Sequence, residues 1–181
     1  MDRASALNLM ESKVTNANLR KHILAVEVVM KYLAKELGEA EEPWGLAGLL
    51  HDLDYEETKN LPQRHGLVTE EMLKDRAVSA DIINAIKAHA NQKPRETKME
   101  KAIYCADPIT GFLVACALIR PEKKLTVVDI EFAKNRMKEK RFAAGANRAA
   151  MQSCDSLGLS LDRFFQIALD AMNSISGQLG L

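Results

Sequence analysis

Apolar residues recur at helical spacing along much of the chain. The clearest stripe has six apolar positions separated by steps of three and four residues, and Gly38 follows it as a typical helix terminator. This pattern predicts a long amphipathic helix whose buried positions are Leu19, Ile23, Val26, Met30, Leu33 and Leu37. The polar residues between them are expected to form its solvent face.

A second segment, residues 44–50, is apolar all round and follows Pro43, a residue that favours the first turn of a helix. A helix with this pattern is buried on every side. It runs directly into His51 and Asp52. We therefore expect the first polar side chains after this helix to emerge from the protein interior.

Three more helix starts are marked by capping residues. Ser79 and Ser160 each precede an apolar segment of helical period, and Thr97 opens a capping-box pattern for a helix expected to end at residues 107–108. There is no hairpin signal, and only 14 residues are Gly or Pro and 9 are aromatic. The sequence predicts an all-α fold, a single bundle of about seven to nine helices.

The composition is that of a soluble globular chain, with 181 residues, 25 basic and 25 acidic side chains, and 47% apolar residues. No apolar run reaches the ~20 residues that a membrane helix needs, and the first residues lack a signal-peptide pattern. Three cysteines in apolar surroundings indicate reduced, buried thiols. These features predict a cytoplasmic protein with no membrane contact.

The four histidines of the chain all precede residue 90: His22, His51, His65 and His89. The first and last lie on helix faces predicted to pack, where a single histidine is usually a core residue with satisfied ring nitrogens. Asp52 could likewise be the polar end of a helix. Together with Asp107, however, these residues would bury several ionisable groups, and a divalent cation removes the cost of that burial.

Nitrogen and carboxylate ligands without thiolate suit Mn, Fe, Co, Ni, Zn or Mg and exclude a structural zinc site of the cysteine type. A bound divalent ion lowers the pKa of its water toward ~7 and polarises phosphoryl oxygens. This chemistry favours hydrolysis of phosphate esters or anhydrides.

The order of these residues resembles the H…HD…D signature of the HD-domain superfamily of metal-dependent phosphohydrolases. The resemblance covers roughly residues 18–111, including the segments 20–22, 48–52, 65–66 and 106–107. It implies an HD-type helical bundle in which one ion is held by His22, His51, Asp52 and Asp107. In dinuclear members two further histidines, here His65 and His89, hold a second ion that Asp52 bridges to the first. One or two divalent ions are therefore expected.

Two departures from the family pattern bear on catalysis. The HDIG subgroup has Ile-Gly after the His-Asp doublet, whereas this chain has Leu53 and Asp54. Some relatives place an acidic general base shortly after the doublet. We therefore take Asp54 and Glu56 as catalytic candidates beside Asp52, although their offset does not decide which one matches and a solvated acidic loop is the alternative.

The resemblance and the ligand set predict a metal-dependent phosphohydrolase acting on a small phosphorylated substrate, a nucleotide or a related ester. Arg20 and Arg64 flank the ligands and are candidate substrate contacts. Two alternatives stay open: a di-iron oxygenase with the same six ligand positions, and a regulatory module that binds a nucleotide without turnover. Nucleic acid is expected to be an unlikely partner. The sequence does not indicate the oligomeric state.

We divide the chain into an HD-type core, residues 1–125, and a C-terminal helical extension, residues 126–181, packed on the same domain. The extension contains a basic segment, residues 134–148, with a local charge of +5. This segment could lie near the metal site and attract an anionic substrate. A solvated helix face followed by a turn around Gly145 is the preferred interpretation.

Overall fold

The computed structural model describes all 181 residues and contains eleven α-helices and no β-strand. Eight of these helices have seven or more residues, which confirms the predicted all-α fold. In chain order they are α1 (Arg3–Lys13), α2 (Ala17–Glu36), α3 (Glu41–Leu50), α4 (Tyr55–Thr58), α5 (Leu67–Leu73), α6 (Ala80–His89), α7 (Lys98–Leu118), α8 (Ile130–Met137), α9 (Arg148–Gln152), α10 (Leu161–Ser174) and α11 (Ser176–Leu179). Short 3₁₀ helices cover Leu125–Val127 and Ser153–Leu157.

The helix starts coincide with the predicted capping residues. The Ser79 side chain accepts a hydrogen bond from the first turn of α6, and Ser160 does the same for α10. Thr97 and Glu100 form a capping box at the start of α7: the side chain of each residue accepts a hydrogen bond from the backbone N–H of the other. Local side-chain chemistry therefore determines where these helices begin.

The predicted end of α7 is wrong, because the helix passes through Pro108 and continues to Leu118. Proline has no N–H, so the carbonyl of Tyr104 loses its usual helical donor. The helix continues because its second half is buried: Ile109, Phe112 and Leu113 are fully shielded from solvent. Burial of these side chains outweighs the one missing hydrogen bond.

The α7 helix is the one helix long and apolar enough, by length and composition, to cross a membrane. It packs against α2, α6, α9 and α10 at the centre of the bundle. This position in the core accounts for its apolar character.

The α2 and α3 helices approach each other closely at Gly48. A Cβ atom at this residue would lie 2.8 Å from Cα of Glu27, so only glycine permits the contact. The contact places the C-terminal end of α3, with His51, beside the half-buried His22 of α2.

A single apolar core of 43 buried residues extends from Ala6 in α1 to Leu179 in α11. It includes residues from both predicted parts of the chain, whose boundary at residue 125 stays a prediction. The three cysteines are buried and unpaired.

Candidate metal centre

The four histidines share one hydrogen-bonding arrangement in which Nδ1 faces outward, away from the cluster. Nδ1 of His51 donates to the backbone carbonyl of Gly48, and Nδ1 of His89 donates to that of Ile86. In both cases the carbonyl belongs to the residue three positions earlier in the chain. The other two rings donate to side chains: His22 to Thr110 Oγ1 at 2.9 Å and His65 to Asp54 Oδ1 at 2.8 Å. With every Nδ1–H used in this way, it is Nε2 of each ring that is left to bind a metal ion once the ring is neutral.

All four Nε2 atoms turn toward the carboxylate of Asp52. Its Oδ2 lies 3.7 Å from Nε2 of His22 and 3.4 Å from that of His51. Its Oδ1 lies 3.3 Å from Nε2 of His65 and 3.6 Å from that of His89. Asp52 therefore stands between two histidine pairs, one on each carboxylate oxygen, and its bridging role stays a prediction.

Asp107 joins the first pair. Its Oδ1 lies 3.1 Å from Nε2 of His22 and 4.0 Å from Nε2 of His51. The ligand atoms of these three residues lie within 4.8 Å of one another, and those of His51, Asp52 and His89 do so as well. All six predicted ligands are thus in one cluster, drawn from α2, α6, α7, the segment after α3 and the connection between α4 and α5.

A divalent cation fits this cluster. Nε2 of His51 is fully buried and has no hydrogen-bond partner, which is costly for a polar atom in a protein interior. Nε2 of His65 and Nε2 of His89 lie 3.1 Å apart, facing each other. Imidazole and carboxylate ligands whose outer atoms are already hydrogen-bonded form the usual donor set of divalent transition metals.

The electrostatics agree with a site built for positive charge. Burial disfavours the charged form of Asp52, but the neighbouring histidines outweigh burial and hold its pKa well below the usual range. Burial likewise opposes the shift at His65, where hydrogen bonds to Asp52 and Asp54 raise the pKa to about 10. At His89 burial prevails and lowers the pKa. At Asp107 burial again opposes ionisation, but the hydrogen bond and the charge of His22 lower the pKa. Asp52 and Asp107 are therefore ionised at neutral pH and available as ligands.

Asp54 is brought next to the cluster but lies behind His65. Its Oδ1 accepts from His65, and its Oδ2 accepts from the backbone N–H groups of Gly66, at 2.8 Å, and Thr69, at 3.0 Å. The side chain is fully buried, and it does not line the cavity in front of the ligands. This geometry suits a residue that orients His65, and the predicted general-base role has no support from it.

The other candidates lie outside the cluster. Glu56 accepts hydrogen bonds from Thr15 and from the backbone of Asn16, thereby tying α4 to the connection before α2. Arg20 donates to the carbonyls of Val14 and Glu11, both at 2.7 Å. The remaining candidate, Arg64, is exposed and pairs with Glu71. None of the three lines the cavity, so their predicted catalytic and substrate-binding roles stay predictions.

The cavity in front of the ligands has a volume of about 650 Å³. Part of its wall is residues 143–147, at the end of the predicted basic segment, and several of these residues are exposed. The turn around Gly145 therefore lies beside the metal centre, a position that the preferred interpretation of a solvated helix face did not include. Its lining side chains are small and uncharged, so the wall brings no cation to the site.

Sequence reasoning missed several residues of the site. Thr110 orients His22 and donates its own hydroxyl proton to the carbonyl of Asp107. Its signal was its position three residues after Asp107, on the same face of α7. Asn91 and Tyr104 line the cavity, and their signal was their spacing of two residues after His89 and three before Asp107.

The helical bundle and its histidine and aspartate cluster define a metal-site protein of the HD type. The chain matches the HD domain family over residues 19–140, and it belongs to that family. This is the superfamily of metal-dependent phosphohydrolases that the signature indicated. No solved structure matches the chain.

Curated relatives carry the name Ribonuclease Y. The protein from Nitratidesulfovibrio vulgaris (strain DP4) is 32% identical over 94 residues, which are 52% of this chain and 18% of that relative. Those from Oleidesulfovibrio alaskensis and Fusobacterium nucleatum are 30% and 29% identical over the same length. The match thus spans less than a fifth of the length of these relatives.

These names overturn one prediction, that nucleic acid is an unlikely partner and that the substrate is a small phosphorylated molecule such as a nucleotide. The prediction was wrong because it counted only Lys and Arg as sources of positive charge. Divalent ions bound at such a site would supply positive charge for a phosphate group. A chain with no net charge can therefore still bind a nucleic acid there.

Proposed function

We propose that this protein is a metal-dependent hydrolase that cleaves phosphodiester bonds in RNA. The observation that carries the proposal is the convergence of four Nε2 atoms on the carboxylate of Asp52, with every Nδ1 hydrogen-bonded from outside. The relatives named Ribonuclease Y support RNA as the substrate class.

The six clustered residues would hold the metal, with His22, His51 and Asp107 on one side of Asp52 and His65 and His89 on the other. Bound divalent ions supply Lewis acidity, which activates water at neutral pH and withdraws charge from a phosphoryl oxygen. The protein's own contribution is to fix the ligands. Asp54, Thr110 and two backbone carbonyls hold the imidazoles in the tautomer that binds metal.

The shape of the cavity is compatible with a polymeric substrate. Asn91 on one side and residues 144, 145 and 147 on another are exposed and also line the cavity. The cavity therefore opens to solvent at its edge. A phosphodiester can reach the ligands while the rest of the chain stays outside.

The experiment is a cleavage assay on an end-labelled RNA oligonucleotide after the purified protein has been chelated and reloaded with Mn²⁺. We expect cleavage with Mn²⁺, none after chelation, and none in the Asp52→Asn variant. The exposed Asp170→Asn substitution serves as the matched control. Metal-loaded protein that leaves RNA intact, or an Asp52→Asn variant that retains full cleavage, would contradict the proposal.

A further inference from the structure

Apart from the ligands, the largest side chains in the cavity wall are two tyrosines, Tyr55 and Tyr104. Tyr55 rests edge-on against His65, with ring centroids 5.7 Å apart. Tyr104 is half-buried on α7, three residues before Asp107 and hence on the same face of that helix. Its hydroxyl makes no hydrogen bond within the protein, which leaves this ring available to a bound molecule.

The Tyr104 ring is supported from behind by Arg95. The guanidinium carbon lies 3.7 Å from the ring centroid, in a stacked arrangement. Arg95 does not line the cavity, so it contacts the ring from outside the cavity wall. Its Nη1 donates to the carbonyl of Ala88 and to Oδ1 of Asn91, at 3.0 and 2.9 Å. The ring is therefore held in place before any ligand arrives.

Asn91 adds a polar group to the same wall. Its backbone has φ of +61°, in the left-handed region, which turns the chain directly after α6. Because Oδ1 accepts from Arg95, the orientation of the side-chain amide is fixed, and its NH₂ group points away from the guanidinium. An exposed donor next to an aromatic ring matches the way single-stranded RNA bases are bound, by stacking and by hydrogen bonds to their edges.

We infer that Tyr104, Arg95 and Asn91 form a nucleobase subsite beside the metal centre, which binds the base of a nucleotide next to the scissile phosphate. This inference rests on the proposed function. Tyr104 supplies the stacking surface, Asn91 donates to the edge of the base, and Arg95 positions both. A purely structural role for Arg95, joining the segment after α6 to α7, would give no dependence on the base.

The test compares two substrates, a short oligoadenylate and the same oligomer with abasic riboses. The readout is the ratio of their kcat/KM values in Tyr104→Leu, Tyr104→Phe and wild-type protein loaded with Mn²⁺. Loss of one stacked base is expected to reduce the preference for oligoadenylate about tenfold in the leucine variant, mainly through KM. The phenylalanine variant keeps the stacking surface and should keep the preference.

Two further variants examine the supporting residues. Asn91→Gly removes the amide but tolerates the left-handed backbone, and it should reduce the preference less than Tyr104→Leu does. Arg95→Lys keeps the charge and loses the planar stack, so a partial loss is expected. Tyr32→Leu, on α2 outside the cavity, is the control. Metal content and thermal unfolding are measured for every variant, so that a folding defect is recognised.

The outcomes separate the two proposals. If the wild-type protein does not cleave oligoadenylate, the proposed function fails and the subsite with it. If the wild type cleaves oligoadenylate and folded, metal-loaded Tyr104→Leu keeps the wild-type preference over the abasic oligomer, only the subsite is overturned. A loss of preference that Tyr104→Phe restores supports it.

Discussion

Two regions of this molecule are rich in ionisable side chains: the metal centre and the basic segment, residues 134–148. In the metal centre, four imidazoles and two carboxylates face one another, and a buried imidazole nitrogen of His51 is left without a partner. In the basic segment several cations face ordinary partners, and Arg141 is exposed to solvent. Lys134 pairs with Asp162 at 2.6 Å, and Arg136 pairs with Glu139 at 2.8 Å.

Arg148 shows the contrast most clearly. Its guanidinium donates to backbone carbonyls between residues 137 and 146, including those of Ala143 and Ala146 at 2.9 Å each. The charge therefore organises the loop that forms the cavity wall, and it does not point into the cavity.

Several residues of the metal centre direct polar atoms at one point, and Nε2 of His51 is left there without a partner. In the basic segment the buried atom without a partner is Nε of Arg136, and the same guanidinium is paired with Glu139 through Nη2. Convergence of several unsatisfied or facing polar groups, and not charge density alone, therefore indicates a ligand.

The largest effect is expected from Asp52→Ala, since this residue faces both histidine pairs. The substitution removes the shared carboxylate from a site of four histidines, so we expect metal binding and RNA cleavage to be abolished. Elemental analysis measures the metal content, and the cleavage assay measures the activity, with Asp170→Asn as the control. A variant that keeps its metal and its activity would show that the cluster is not the functional site.

A smaller effect on metal affinity, confined to the His65 side of the cluster, is expected from Asp54→Asn. The amide oxygen can still accept from Gly66 and Thr69, but its NH₂ group then faces Nδ1 of His65, which must become an acceptor. The ring proton moves to Nε2, and His65 no longer binds metal. Losses of this kind cost about 10- to 100-fold in metal affinity.

Asp54→Asn should therefore lower the affinity for the ion that His65 and His89 would hold. The affinity for the ion that His22 would hold should not change. Titration with Mn²⁺ distinguishes the two, and Glu56→Gln, an acidic-to-amide change outside the cluster, gives the comparison for metal binding. Unchanged affinity at both positions would show that Asp54 does not orient His65 and would favour its predicted role as a general base.

The ligand residues were predictable because their spacing along helices and their order in the chain both carried the signal. Helix starts were predictable for a similar reason, since capping by Ser79, Thr97 and Ser160 is local chemistry. The end of α7 was not predictable locally. Pro108 indicates a stop, and only the burial of the residues after it, by helices distant in sequence, overrides that signal.

The side-chain directions of the arginines and of Glu56 were not predictable for a different reason. Sequence proximity to a ligand says nothing about the direction of a side chain: Arg20 turns back to the end of α1, and Glu56 turns to the connection before α2. The cavity wall at residues 143–147 is contributed from far along the chain. No local pattern relates this loop to His22 or Asp107.

The third prediction concerns pH. In the metal-free protein His65 is protonated at neutral pH, because hydrogen bonds to Asp52 and Asp54 outweigh burial and raise its pKa to about 10. A metal ion must displace this proton, whereas His89, whose pKa is lowered, has none to release. At His51 burial opposes protonation, but Asp52 and Asp107 raise the pKa as well. Apparent Mn²⁺ affinity should therefore rise at least about tenfold per pH unit across the neutral range. Calorimetric titration in buffers of different ionisation enthalpy counts the released protons.

The stability of the chelated protein should change in the opposite direction. The folded-state pKa of His65 lies above its ordinary value of 6.5, so its ion pairs stabilise the fold fully below that pH. The contribution is lost as the pH rises through about 10. The depressed pKa of Asp52 acts only at acid pH, where protonation removes its contribution. A Tm that increases between neutral pH and pH 10 in chelated protein would contradict this assignment.

The smallest effect on the metal centre is expected from Arg148→Met. Removing the guanidinium leaves several partly buried carbonyls without donors, so the free energy of unfolding should fall by about 2 kcal/mol. Because no ligand contacts Arg148, metal content should not change, while KM for RNA should rise severalfold as the loop at residues 143–147 loosens. The matched control is Arg141→Met, an exposed residue of the same segment with no side-chain partner, where the change should be about 0.5 kcal/mol or less. The contrary result is an equal increase in KM for both substitutions that disappears at high salt. It would show that the basic segment attracts the substrate electrostatically.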